Sequence, residues 1–412
     1  MDLHDIINKY NIVFNDDEIK LESLIIKMYN SDELILQDYD LNNPIILNLI
    51  GLYYQQIKIN HELMIKYLLM AINKDNSNAM YNLGNYYKNI KKDYELMKKY
   101  YLMSIDKDNS NAMTSLGYYY HDIEINDEYI KKYYLMAINK GNANAMYNFG
   151  VYYEPKKYIC MHYNIQEENK FSDIELMKKY YLMAIEKNHL DAMTRLGYYY
   201  YIEKDYKQMM KYYLMAIDKG YVSAMYNLGF YYDNIYNYDL MKKYYLMAID
   251  NGCSNSMNNL GYYYKNIEKN YELMMKYYLM AIDKNESDAM YNLGYYYYIE
   301  KDYDQMKKYY LMATDNDESY SMYQMSKYYY STEFNYELMK KYYLMAFNKG
   351  NILAKNDNII SDYINNVSNY TNNIKECIIC YNTNINIKYE CGHNICLECY
   401  IKWKKCYYRC NY

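Results

Sequence analysis

The stretch AMYNLGNYY, residues 79–87, decides the fold. Small or apolar side chains stand at its positions 1, 2, 5, 6 and 9, namely Ala79, Met80, Leu83, Gly84 and Tyr87. That spacing marks one face of an α-helix. A glycine inside a helix costs about 1 kcal/mol relative to alanine, so Gly84 needs a reason. The phrase returns as AMTSLGYYY at 112, AMYNFGVYY at 145, AMTRLGYYY at 192, AMYNLGFYY at 224, SMNNLGYYY at 256, AMYNLGYYY at 289 and SMYQMSKYY at 321. A degenerate copy, ILNLIGLYY, starts at 46. The copies begin 32 or 33 residues apart, with one gap of 47. Gly51, Gly84, Gly117, Gly150, Gly197, Gly229, Gly261 and Gly294 share one place in the unit. Such repetition points to close approach of a partner helix.

The partner follows each copy. It reads KYLLMAI at 66, KYYLMSI at 99, and so on to KYYLMAF at 341. Ala71, Ala137, Ala184, Ala216, Ala248, Ala281, Ala313 and Ala346 hold its small position, expected to face the glycine. Asn60, Asp93, Asp205 and Asp302 stand where this second helix needs an N-cap. Gly141, Gly220, Gly252 and Gly350 stand just beyond it, where a left-handed C-cap is wanted. Each unit is thus a helix–turn–helix hairpin that cannot bury its apolar face alone, and the expected class is an all-α solenoid of about nine stacked repeats. Residues 1–45 are expected as a helical cap, 46–353 as the repeats, and 354–376 as a capping helix and linker. The long gap places an insertion, EPKKYICMHYNIQEENKFSD at 154–173, in the fourth unit. Its Cys160 and His162 have no companion ligands, so a polar surface loop is expected there. Cys253, beside Gly252, reads as a small turn residue.

These repeats resemble the Sel1-like family, relatives of tetratricopeptide repeats. The resemblance rests on the A-x-x-x-L-G-x-x-Y opening and on the aromatic-x-x-x-A run of the second helix, over about 46–353. It departs from the family in lacking the glycine-bearing loop between the helices, where NIKKDY or IEKDY stands instead. Sel1-like arrays act as adaptors, so the resemblance implies a protein client held on the solenoid.

Composition narrows the function. The chain holds 70 Tyr against 6 Phe and 1 Trp, and Arg occurs only at 195 and 409. The excess of Asn, Ile, Lys and Tyr follows from A- and T-rich codons, as in a large DNA virus or an intracellular parasite. Tyrosine is therefore expected to pack where Leu or Phe would elsewhere, with its hydroxyl at the wet rim. The net charge is −5 with both signs interleaved, which speaks against a nucleic-acid partner. No apolar run nears the roughly 20 residues of a membrane span. The start MDLHDIINKY lacks an export-signal layout. The expected place is the cytoplasm, that of the host if the source is viral. There is no glycine-rich phosphate loop and no Ser/His/Asp set.

The tail differs from everything before it. Residues 377–410 hold seven of the nine cysteines, spaced Cys377-x2-Cys380-x10-Cys391-x-His393-x2-Cys396-x2-Cys399-x6-Cys406-x3-Cys410. In a reducing compartment, clustered Cys with His points to metal before disulfide. Eight ligands make two tetrahedral zinc sites with none left over. So short a segment buries too little apolar surface to fold alone, and zinc would supply on the order of 10 kcal/mol per site.

This order, three cysteines, one histidine, then four cysteines, resembles the RING finger, here at 377–412. The resemblance implies alternating pairs: Cys377, Cys380, Cys396 and Cys399 on one zinc, and Cys391, His393, Cys406 and Cys410 on the other. It implies a non-covalent ubiquitin ligase with no nucleophile of its own. The ubiquitin-conjugating enzyme would dock on an apolar patch that includes Ile379 and Trp403, with Tyr407 at the place of the family's proline. Two further departures are the C-x3-C spacing of the last pair and Asn411 in place of the family's basic residue. The alternative reading is a non-enzymatic scaffold whose zinc module is structural.

Overall fold

The structure, a computed structural model, describes residues 1–10, 16–31, 34–155, 173–361, 364, 387–388 and 394–395. The chain divides into two units, Met1–Lys219 and Gly220–Tyr412. The first unit holds five helical hairpins: Pro44–Gln56 with His61–Ile72, Ser77–Tyr86 with Tyr94–Ile105, Ser110–Asp122 with Asp127–Asn139, Ala143–Tyr152 with Ile174–Glu186, and Leu190–Ile202 with Tyr206–Ile217. The second holds four: Val222–Asn234 with Tyr238–Asp250, Ser254–Asn266 with Tyr271–Asp283, Ser287–Ile299 with Tyr303–Asp315, and Ser319–Ser331 with Tyr336–Asn348. Within each unit, the second helix of one hairpin lies against the first helix of the next. This is stacked α/α hairpin architecture, one hairpin for each copy of the repeat.

In the first unit, Leu3–Tyr10, Asp16–Ile19 and Glu22–Tyr29 precede the hairpins. Their Ile6, Ile25 and Met28 share a core with Leu47, Ile50 and Tyr53 of the first hairpin. In the second unit, Ile352–Asn356 and a helical run at 358–361 follow the last hairpin. Ile360 and Ile364 are buried among Met325, Tyr328 and Met339. Among the described residues, the departure from an all-helical chain is one short antiparallel pair, Ile387–Lys388 with Asn394–Ile395.

The glycine has a partner other than the one expected. A Cβ built on Gly84 would lie 2.6 Å from the ring of Tyr101, closer than real Cβ contacts come. Gly117 meets Tyr134, Gly150 meets Tyr181, Gly229 meets Tyr245 and Gly294 meets Tyr310 in the same way, while Gly51 meets the smaller Leu68. The notch therefore seats the second tyrosine of KYY, and the alanine is simply a fully buried residue nearby. Alanine has no reach across the gap between two helix axes, whereas a ring fills it.

The ninth position also differs from expectation. Tyr86, the eighth residue, is 1% exposed, while Tyr87 is only half-buried. Tyr87 instead lies flat on Tyr100, the first tyrosine of KYY, with rings 3° from parallel. The nine hairpins repeat this stack, at Tyr54–Tyr67, Tyr120–Tyr133, Tyr153–Tyr180, Tyr200–Tyr212 and on to Tyr329–Tyr342. Such a pair contributes about 0.5–1.5 kcal/mol beyond its area burial. Hydroxyls are not confined to the wet rim. Those of Tyr134, Tyr278 and Tyr310 are buried with no protein hydrogen-bond partner among the described residues.

Caps follow the sequence closely. Asn60, Asp93, Asp205 and Asp302 accept from Leu63, Leu96, Gln208 and Gln305 N–H at 3.0–3.1 Å. Gly141, Gly220, Gly252 and Gly350 lie at φ +76 to +83°. Between the helices, however, the turn still needs a left-handed residue even without glycine. Ile59, Lys92, Ile125, Lys204, Tyr236, Lys269, Lys301 and Phe334 take positive φ there. The N-cap amide then returns to the carbonyl of the ninth-position tyrosine, Asp93 N to Tyr87 O at 3.0 Å for example. Asp173 N reaches Tyr153 O at 3.0 Å, so the inserted hairpin closes as the others do. Cys160 and His162 lie outside the described residues.

Two expected outcomes follow from these contacts. Helix propensity alone would make Gly84→Ala stabilising by about 1 kcal/mol, but overpacking costs about 1–3 kcal/mol. The substitution is therefore expected to lower the urea midpoint, and a rise would remove the ring contact as the reason for glycine. Lys301→Gly, at φ +61°, relieves a left-handed cost of about 1–2 kcal/mol, part of which is offset by the freer unfolded chain. It is expected to raise the same midpoint, by an amount equal to a few tenths to about 1 kcal/mol of stability.

Candidate binding groove

The first helices place their third and fourth repeat positions between neighbouring hairpins. In the first unit these are Asn82, Tyr81 and Ser115, Thr114 and Asn148, and Tyr147 and Arg195, half-buried except for the buried Thr114. Consecutive in the helix and so about 100° apart, the fourth faces the preceding hairpin and the third the following one. Tyr81, Thr114, Ser115, Tyr147 and Asn148 among them line a groove of about 340 Å³ that runs over four successive hairpins, from Tyr81 and Lys88 in the second to His189 and Asp191 in the fifth. Its lining combines the rings of Tyr81, Tyr118 and Tyr147 with Asn111, Ser115, Asn144 and Asn148. A second hollow of about 570 Å³ lies in the second unit around the turn at Tyr236, and is not lined by successive helix faces.

Charges are placed at the ends of the groove. Lys88 lies 4.8 Å from the centre of the Tyr118 ring, a cation–π contact. Burial holds its amine below the ordinary lysine value, against the pull of Asp122. At the other end, His189 stacks on Tyr147 at 4.7 Å and 17°. Its Nδ1 accepts from Ala192 N at 3.2 Å, and its Nε2 meets Asn144 Oδ1 at 3.1 Å. That pattern assigns the neutral ring with its proton on Nε2. Burial lowers its basicity below the usual histidine value, with Asp191 opposing. His189 occupies the N-cap place that Asn76, Asn109 and Asn142 hold in the preceding hairpins.

Beneath this end sits a buried ion pair. Arg195 Nη1 lies 3.6 Å from Glu154 Oε2, and the Glu154 side chain is 0% exposed. Burial pushes the Glu154 carboxyl up, while the Arg195 guanidinium holds it down. Glu154 opens the inserted segment, and Arg195 is the arginine of the helical region. An ion pair of this kind orients a surface more than it stabilises a fold. The arrangement can hold an extended chain by side-chain amides and aromatic walls. It contains no nucleophile–base pair.

The residues singled out from the tail fall elsewhere. Cys377, Cys380, Cys391, His393, Cys396, Cys399, Cys406 and Cys410 lie outside the described residues, as do Ile379, Trp403 and Tyr407. The described backbone does place one strand on each side of the Cys391–His393 stretch. Among the described residues, no three His, Cys, Asp or Glu side chains gather as metal ligands. Cys253 is the N-cap residue of its helix, its sulfur accepting from Ser256 Oγ at 3.3 Å. The groove itself was not anticipated. Its signal was the third repeat position, where threonine at 114 interrupts tyrosines at 81 and 147.

No known family profile matches the chain, and no curated protein matches it. Several solved structures are similar. One is c5321, a protective antigen of uropathogenic Escherichia coli with an SLR fold: 19% identity over 76% of this chain and 72% of that one, TM-score 0.45. Another is a Sel1 repeat protein from Oxalobacter formigenes, with 14% identity over 71% and 89%, TM-score 0.45. A third is the human IFIT1 dimer with PPP-AAAA, with 14% identity over 73% and 69%, TM-score 0.43. No helix among the described residues is long and apolar enough to cross a membrane.

The His189 cap makes stability depend on pH. Its folded-state pKa lies below the unfolded value of about 6.5, so its contribution is present above that pH and is lost as pH falls through the lower, folded value. Wild type should lose stability between pH 7 and about 5 relative to His189→Asn, which restores the cap of the preceding hairpins. Parallel pH profiles in denaturant melts would show the histidine to be uninvolved.

Proposed function

We propose that this chain is a protein-interaction scaffold whose helical hairpins hold a client, and whose C-terminal segment is a two-zinc RING-like module that engages a ubiquitin-conjugating enzyme. One observation carries the reading: seven cysteines and one histidine in RING order within 34 residues, in a chain that otherwise has two cysteines. The donor set fits zinc, since thiolate and imidazole are its preferred structural ligands and eight divide into two tetrahedral sites. Cys377, Cys380, Cys396 and Cys399 would hold one ion, and Cys391, His393, Cys406 and Cys410 the other. The antiparallel pair at 387–388 and 394–395 supports this reading, because it brackets Cys391 and His393 as a hairpin stem would.

The zinc ions would supply cross-links that fold the segment, and no chemistry beyond that. The working surface belongs to the side chains. Ile379 and Trp403 form the apolar patch, beside Tyr407, and tryptophan is the residue type most enriched at binding hot spots. Transfer would then follow from holding a charged conjugating enzyme next to a client lysine, which is catalysis by positioning. The groove over the second to fifth hairpins supports the client-holding half of the reading. A reducing compartment such as the cytoplasm suits the thiolates.

A scaffold with a purely structural zinc module is the second reading, favoured by the C-x3-C last pair and by Asn411 at the activating position. Purified full-length chain should bind two zinc per chain, and Cys396→Ser should lose at least one. With a panel of conjugating enzymes the wild type should build ubiquitin chains, and Trp403→Ala should slow this roughly tenfold or more with zinc retained. Two zinc without chains across the panel would transfer the case to the structural reading. Fewer than two zinc would end both.

A further inference from the structure

Neighbouring first helices are tied by a polar rung that the array repeats. The third position of one hairpin meets the fourth position of the next. In the first unit, Asn82 Nδ2 donates to Asn48 Oδ1 at 3.0 Å, Ser115 Oγ reaches the Tyr81 hydroxyl at 3.5 Å, and Arg195 faces Tyr147. In the second unit, Asn259 faces Tyr226, Asn292 Nδ2 donates to Asn258 Oδ1 at 2.9 Å, and Gln324 faces Tyr291. Even beyond the last hairpin, the Tyr323 hydroxyl donates to Asp357 Oδ2 at 2.8 Å.

Between the third and fourth hairpins the rung is open. The residues there are Thr114 and Asn148. Thr114 turns its hydroxyl back to the Ser110 carbonyl of its own helix at 2.8 Å. Asn148 makes no side-chain hydrogen bond among the described residues, and both residues line the groove. The ring that tyrosine supplies at this place in the hairpins on either side, Tyr81 and Tyr147, is missing. Its absence leaves a slot walled by Tyr81, Tyr118 and Tyr147, with the Asn148 amide in its lining and Lys88 beside it.

We propose that this open rung is the recognition subsite for the client, and that it takes a tyrosine side chain from an extended client segment. The inference rests on the reading that the array holds a protein client. The incoming phenol occupies the space that Thr114 leaves, and its hydroxyl accepts from Asn148 Nδ2, as the chain's own Tyr245 hydroxyl accepts from Asn259 Nδ2 at 3.0 Å. Aromatic walls favour a ring, and the amide favours a ring with a polar tip over a bare phenyl group. Lys88 favours a carboxylate next to that tyrosine, so the recognised segment is an acidic residue followed by tyrosine.

The test uses the full-length chain and the blocked peptide acetyl-Gly-Glu-Tyr-Gly-amide, followed by isothermal titration. Saturable binding is expected at roughly millimolar strength, weakened about 5–10-fold when the peptide tyrosine is phenylalanine. Thr114→Tyr should abolish binding while keeping the helical signal and melting temperature, because it closes the rung with the chain's own residue. Asn148→Ala, which leaves the slot open, should weaken the tyrosine peptide to the level of the phenylalanine one. Undiminished binding to Thr114→Tyr would overturn the proposal. So would no preference for tyrosine over phenylalanine, no binding at about ten times the expected constant, or preferential occupancy by uridine monophosphate offered as a competing planar ring. A client retained equally by wild type and Thr114→Tyr would sink the subsite and leave the scaffold standing. Peptide binding by a wild type that retains no client would sink the scaffold and leave the subsite.

Discussion

A tyrosine ring seated in a glycine notch sets the distance between the two helices of nearly every hairpin. With Cβ positions only 2.5–2.9 Å from ring or side-chain carbons, the first helix cannot carry any larger residue without moving. Once that distance is set, the neighbouring tyrosine of KYY is held where the ninth-position ring can lie flat upon it. Glycine, seated ring and stacked pair are thus one device, and the chain repeats it hairpin after hairpin. The ends show its tolerance. The first hairpin seats Leu68 against Gly51, and the last has Ser326 where glycine stood, fully buried. Because each hairpin touches only its neighbours, such changes are absorbed locally.

Much of this was legible before any coordinates. Period, helix faces and caps could be read because each depends on residue types at short spacing. The second-helix N-caps and the left-handed glycines are where they were expected. What could not be read depends on the distance between elements. Periodicity shows which face of Ser77–Tyr86 is inward, but not whether Tyr86 or Tyr87 goes deeper, since both border that face. Nor does it show whether Ala or Tyr of the second helix meets Gly84. The left-handed turn residues were hidden for a different reason. Lysine, isoleucine and phenylalanine carry no propensity for that conformation, and only closure of the hairpin imposes it.

The groove was illegible for the opposite reason. Repeats announce what is common, and the groove is made of departures: Thr114 between Tyr81 and Tyr147, and His189 after the asparagine caps of the preceding hairpins, with Arg195 near it in a helical region without another arginine. Each exception looks like drift in the sequence. Only stacking four hairpins side by side brings them to one surface. The tail presents the reverse case, a donor set plain in the sequence, whose residues lie outside those the structure describes.

The clasp between Asp173 N and Tyr153 O spans a stretch that the other hairpins do not have. Its 3.0 Å length is the same as in hairpins with six-residue turns. The array is therefore indifferent to how much chain leaves and re-enters at that point. Length can vary there without shifting the register of anything downstream, which makes the inter-helix turn the place where a repeat can acquire individuality while its siblings stay alike.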